Sequence, residues 1–356
     1  MGVEEEFLLV DPETGHPAAV SVAVLAHTPG AAEHAGGAGL TYEMQREQVE
    51  TGTGPCESLV ELDSQLRAVR AKATVAAADA GAALVPIATS PLPVEPTLVP
   101  SPRYAEIARR FGLTAFEQLT CGCHVHVAID SPQQGVAVLD RIRPWLAPLV
   151  ALSANSPFWQ GGDSGYASFR SQVWTRWPSA GPYELFGSAA AYRAFVTTLL
   201  ATDTLTDEGM LYLDARLSRR HPTVEVRVAD VCREPDDAML VAALVRALVD
   251  TAIAEWEAGV PPAPVRIEVL RLAAWRAGRS GLGEALLNPS TWLPAPAAAV
   301  LGALVEHVAP ALEVSGDLAT VRELLGAVLG RGNGAMRQRD VFARTGDLAA
   351  VLRDAL

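Results

Sequence analysis

Lysine is almost missing from this chain of 356 residues: Lys72 is the only one, and arginine carries nearly all the positive charge. No basic run compensates, and the formal net charge is −13, which argues against a nucleic-acid surface. Cysteine is sparse too. Cys56, Cys121, Cys123 and Cys232 are too few to staple a chain of this size, so reduced thiols and a cytoplasmic location are expected. An uninterrupted apolar run of about 18 residues is absent, as is a charged segment leading into an apolar one at the start, so neither a membrane span nor a targeting leader is expected. A GxxxxGK[ST] loop, a strand–GxGxxG–helix unit and a GxSxG elbow are all lacking, so any nucleotide site must be of another type.

What is present is a chain of 49% hydrophobic residues, enough for a sizeable core. Periodicity predicts a strand over 3–10, a helix over 18–28, a loop over 30–39 and strand character over 40–55. A helix follows over 58–80, with Ser58 as N-cap and Glu61 as its capping-box partner. Short strand 83–91, helix 102–111 and strand 119–130 come next; residues 135–153 read as a helix that Pro144 and Pro148 should kink or divide. The aromatic and glycine-rich stretch 155–182 reads as a functional loop. Helix 188–201, hairpin 211–231 and helix 236–258 precede a mostly helical last hundred residues. The fold class is α+β, antiparallel strands with helices interleaved, read as a single domain over 1–356.

The chemistry gathers on strand faces, where residues two apart point together. In GVEEEFLLVD, Glu4 and Glu6 share a face and Glu5 faces the other way, toward an arginine or solvent. In TCGCHVHVAI, His124 and His126 share a face opposite Cys121, Cys123 and Val125, which disfavours a zinc site built from both residue types. Read alone, the two histidines could equally be structural. In HPTVEVRVADV, Glu225, Arg227 and Ala229 share one face and Val224, Val226, Val228 and Asp230 the other; alone, the Glu–Arg pair could be an ordinary surface ion pair. TYEMQREQVE adds Glu43, Glu47 and Glu50, with Gln48 beside Glu50. Four strands with one polar and one apolar face can line a carboxylate-rich surface. Hard cations such as Mg²⁺ take oxygen ligands, and with arginines nearby this is a sensible phosphoryl-transfer site. Further arginines stand at Arg170 and Arg176 beside Trp174, at Arg276 and Arg279, and at Arg337 and Arg339.

These motifs, together with SANSPFWQGGDSGYASFRSQVWTRWP and AAWRAGRSGLGEALLNP, closely resemble those of the type 2 glutamate–cysteine ligase family, the YbdK-like ATP-dependent carboxylate–amine ligases, and occur in family order along nearly the whole chain. The resemblance implies a glutamine synthetase-like curved antiparallel sheet with helices on its convex side. It implies ATP and two or three Mg²⁺ ions, with Mn²⁺ able to substitute, and an amide made through an acyl phosphate from a small carboxylic acid and an amine. Glutamate plus cysteine is one such pair; another pair, a phosphotransferase or a non-catalytic nucleotide binder is the alternative. Glu4, Glu6, Glu43, Glu50, His124 and Glu225 would bind metal, with His126 behind them. Arg227, Glu225 and Arg170 would be catalytic; Arg170, Trp174 and Arg176 would line the substrate pocket; Arg276, Arg279 and Arg337 would hold the nucleotide. A homodimer is the implied assembly. Cys123, Ala128, Gly162 and the segment GNGAMRQ (332–338) depart from the usual pattern.

Overall fold

The protein, described from a computed structural model, is seen over residues 1–26 and 39–356; of the loop expected at 30–39, all but Gly39, which opens a strand, lies outside the described residues. Seven strands form one antiparallel sheet: β1 (Gly2–Val10), β2 (Gly39–Tyr42), β3 (Gln48–Gly52), β4 (Ala83–Val85), β5 (Gly122–Ala128), β6 (Ala215–Leu217) and β7 (Thr223–Asp230). Their order is β2–β3–β1–β5–β7–β6, with β4 paired to the far half of β1. The α+β class expected from sequence is the one observed.

One face of the sheet is covered by helices. Val3, Cys123, Val125, Val127, Val224 and Val226 point into a core shared with Leu62 and Leu66 of the Leu59–Asp79 helix, Leu149 of Leu146–Ser153, and Leu240 and Leu244 of Pro235–Glu257. Burying such side chains contributes roughly 1.5–3 kcal/mol each, so this face anchors the sheet and frees the other for chemistry. The Leu59–Asp79 helix begins as expected, with Ser58 accepting from the Glu61 N–H at 3.2 Å. Glu61 reaches one residue past its cap, to the N–H of Glu57.

One segment divides where a single element was expected, and another divides as its prolines predicted. Residues 40–55 form the β2–β3 hairpin, so Glu43 sits in the turn rather than on a strand. The 135–153 helix splits into Pro132–Ile142 and Leu146–Ser153 around a 3₁₀ turn containing Pro144, because proline cannot supply the helical N–H. Among the described residues one helix, Ala297–Ser315, is long and apolar enough to cross a membrane. Val300, Leu301, Leu304, Val308 and Leu312 of that helix are packed in the core.

Candidate active site

The face of the sheet away from the helices floors a cavity of about 1160 Å³. Register sets its polar groups side by side: Glu4 opposite His124, Glu6 opposite Glu50, His126 opposite Glu225, and Glu225 opposite Arg216. All of these line the cavity, as do Glu43 from the β2–β3 turn, Arg227, and Trp174, Tyr104 and Tyr212 from the walls. Alternation sends Glu5 the other way, where the guanidinium of Arg70 donates two bonds to its carboxylate at 2.6 and 2.8 Å.

Two groups of three ligand atoms form on this floor, each within 4.8 Å: Glu4 with His124 and Glu225, and Glu6 with Glu50 and His124. Glu43 lines the cavity but belongs to neither group. His124 is only 2% exposed, yet neither ring nitrogen has a hydrogen-bond partner, so a buried lone pair is left free for a metal ion. Its Nδ1 lies 3.6 Å from Glu4 and Nε2 of His126 lies 3.5 Å from the same carboxylate, both too long for good hydrogen bonds. His126 is fixed by Thr223, whose hydroxyl lies 2.9 Å from Nδ1. These residues fit a hard divalent cation, being oxygen-rich with a single imidazole shared between the groups.

Electrostatics divides the carboxylates. Burial opposes charge on Glu4, but His124 and His126 hold it well below the usual carboxylate range. Burial also opposes charge on Glu225, and Arg227 and Arg216 overcome it. Glu6 is different: burial and the charge of Glu43 push it up to about 7, against the bond from the Gly122 N–H. Burial raises Glu43 too. His124 is lowered to about 3 by burial and then by Arg227, so its ring is neutral and has a lone pair to offer. Arg227 is ion-paired through Nη1 to Glu225, while its Nε has no partner.

Not every expected residue reaches the cavity. Arg170, expected in catalysis and substrate binding, is buried at 2% exposure against Gly122, on the His124 side of the sheet, and does not line the cavity. Arg176 pairs with Glu117 away from it. Arg276, Arg279 and Arg337 also lie outside it: Arg337 holds Asp354 at 3.0 Å and Arg279 sits over the Tyr166 ring. The periodicity of β7 misplaced two residues. Cys123 pairs with Ala229 and Val125 with Val226, so an extra residue bulges opposite His124 and reverses the alternation. Ala229 therefore joins the helix-side core, and Asp230, paired with Gly122, turns to the side of His124. Arg216 went unnoticed in the sequence, yet its fork holds Glu225 at 2.8 and 3.1 Å. The signal was there in a hairpin that places Arg216 directly across from Glu225.

A helix-backed antiparallel sheet with an acidic floor and a paired arginine defines an α+β fold with a candidate cation site on its open face. The profile of Glutamate-cysteine ligase family 2 matches residues 1–354. The chain belongs to that family and is an enzyme of the ligase class. A Streptomyces coelicolor protein named "Putative glutamate–cysteine ligase 2" is 51% identical over 352 residues, covering 99% of this chain and 96% of its own. A "Putative glutamate–cysteine ligase 2-3" of Paenarthrobacter aurescens is 51% identical, covering 96% of this chain and 80% of its own. Among solved structures, the fold is shared with a glutamate–cysteine ligase of Francisella tularensis in complex with AMP, at a TM-score of 0.68 and 13% identity, over 99% of this chain and 86% of that one. A bifunctional glutathione synthetase of Pasteurella multocida matches at 0.68 and 15%, over 99% of this chain and 51% of that one.

Proposed function

We propose that this enzyme is an ATP- and Mg²⁺-dependent carboxylate–amine ligase, joining the γ-carboxylate of L-glutamate to the amine of L-cysteine. The observation that carries the reading is the pair of three-ligand groups sharing His124, set beside Arg227. The substrate carboxylate attacks the γ-phosphorus of ATP and ADP leaves. The amine then displaces phosphate from the acyl phosphate, closing the amide. Glu4 and Glu225 would hold one ion and Glu6 and Glu50 a second, with His124 completing one group at a time and Glu43 close by. Bound Mg²⁺ supplies charge neutralisation for the phosphate oxygens. Arg227, with donors left over after Glu225, faces the transferred phosphoryl group or the acid, and Arg216 keeps Glu225 ionised and oriented. Trp174 and Tyr212 close one wall against water. One catalytic domain over 1–356, a dimer, a cytoplasmic location and the absence of nucleic-acid or membrane partners belong to the same reading.

The test is ADP release over a panel of acids and amines, with mass detection of the adduct. ADP should require both substrates, and Glu225→Gln should lose about 100-fold or more in kcat, as for removal of a group stabilising developing charge. Normal turnover in that variant removes the metal assignment. A stable phosphorylated product without an amide makes the protein a phosphotransferase.

A further inference from the structure

The bulge in β7 is an irregularity at the point where Arg227 must be aimed. Arg227 and Val228 together oppose His124 on β5, and an extra residue leaves ladder groups of a strand unpaired. Two bulge carbonyls are taken by one side chain: Nη2 of Arg170 donates to the Arg227 carbonyl at 3.3 Å and Nη1 to the Val228 carbonyl at 3.4 Å. Arg170 opens the short Arg170–Trp174 helix and lies buried beside the cavity, against Gly122, without lining it.

Its own position is fixed from several sides. Asp230 lies 3.9 Å from Nη1, and the Asp230 carboxylate accepts from Ser156 Oγ at 2.7 Å, Ser168 Oγ at 2.8 Å and the Asn155 N–H at 2.8 Å. Ser156 Oγ accepts in turn from the Arg170 N–H at 3.0 Å. The Trp174 ring centroid is 5.5 Å from the Arg170 guanidinium and 5.4 Å from that of Arg227, so one indole touches both cations. Gly122 completes the arrangement. A Cβ there would lie 2.8 Å from Cζ of Arg170 and nearer still to Nη2, so the glycine makes room for the guanidinium.

We propose that Arg170 is a positioning residue: it clamps the β7 bulge by the carbonyls of Arg227 and Val228 and so aims the Arg227 guanidinium into the cavity. The clamp ties the 155–170 loop to the reacting centre without touching substrate. Its kinetic consequence rests on the ligase reading; its structural consequence does not. A bare charge partner for Asp230 would need only a cation, whereas the clamp needs the planar fork in place.

Gly122→Ala separates these, because it keeps both charges and crowds the guanidinium off the bulge. Arg170→Lys keeps the charge without the fork, and Arg170→Met removes both. In Gly122→Ala and Arg170→Lys, kcat should fall by up to about 100-fold, the scale for misplacing a group by about 1 Å. In Arg170→Lys, KM for the acid and Mn²⁺ affinity by calorimetry should stay within about threefold, because no metal ligand is touched; Gly122→Ala is read by kcat and exchange alone, since its Cβ would also lie 3.0 Å from Nε2 of His124. Combined with Arg227→Met, the Arg170 substitutions should add nothing further. Independently of turnover, amide hydrogen exchange over Val226–Ala229 should speed up in each variant. Additive losses with Arg227→Met, or unchanged exchange at the bulge in Gly122→Ala, overturn the proposal. A wild type without ADP release but with faster exchange in the variants sinks the ligase reading and keeps the clamp.

Discussion

Glu4, Glu5 and Glu6 are consecutive and could hardly differ more. Glu5 is fully buried and held by the Arg70 fork, which also donates to the carbonyls of Cys232 and Arg233. Breaking a buried pair leaves one charge uncompensated, so Glu5→Gln should lose about 3–5 kcal/mol in denaturant unfolding. Glu4→Gln and Glu6→Gln should instead abolish ADP formation with little change in stability. Glu6 brings pH into play. Between its ordinary value of 4.5 and about 7, the folded apo-protein keeps a proton that the unfolded chain has released, so this group's contribution to stability falls as pH rises through that window. A metal ion must displace that proton, so Mn²⁺ affinity should rise from about pH 6 to about pH 8 with proton release detectable by calorimetry in buffers of different ionisation heat. A pH-independent affinity removes Glu6 from the ligand set. His124 adds a further restriction: a neutral imidazole has one lone pair, so the ring can serve only one of its two groups at a time. The second ion should therefore bind more weakly than the first.

At the scale of elements, alternation on β1, β3 and β5 was fully legible, and it found Glu4, Glu6, Glu50, His124 and His126 from a period of two. It failed on the last third of β7 because a bulge leaves no mark in the hydrophobic pattern, and that is where Asp230 and the Arg170 clamp lie. Arginine-rich loops misled for a related reason. A guanidinium that binds backbone carbonyls or a surface carboxylate reads the same in sequence as one facing a phosphate, as Arg170 and Arg337 both show. The departing GNGAMRQ segment has a structural role. Asn333 caps the Gly334–Thr345 helix and donates to the Ala151 carbonyl at 3.0 Å, while Gln338 donates to the carbonyl and Oδ1 of Asn155. A Cβ on Gly334 would lie 2.8 Å from Cβ of Asn155 and closer to its amide oxygen. Gly334→Ala should accordingly cost about 1–3 kcal/mol in thermal unfolding by overpacking, with Mn²⁺ affinity kept. An unchanged melting temperature would show that the Gly334–Thr345 helix docks elsewhere.

The whole molecule is organised around β1. Its first half pairs with β3 and β5, its second half with β3 and β4, and Phe7 through Val10 share a core with Val351 and Leu352 of the Leu348–Asp354 helix and with Ala355 just past it. Every candidate cation ligand therefore depends on strands far apart in the chain, since the Glu4–His124–Glu225 group spans most of its length. Such non-local pairing makes for slow folding, and the floor cannot exist until these strands have met. A divalent ion present at about 100 times its Kd should stabilise the native state by about 2.7 kcal/mol. Because the ligands converge late, that gain should appear as slower unfolding in stopped-flow traces, with the refolding rate nearly unchanged. Faster refolding with Mg²⁺ would mean that the floor forms early. Slower unfolding makes the enzyme's lifetime under heat a property of its ion supply: a chain deprived of the divalent ion would be short-lived long before it was unstable at equilibrium.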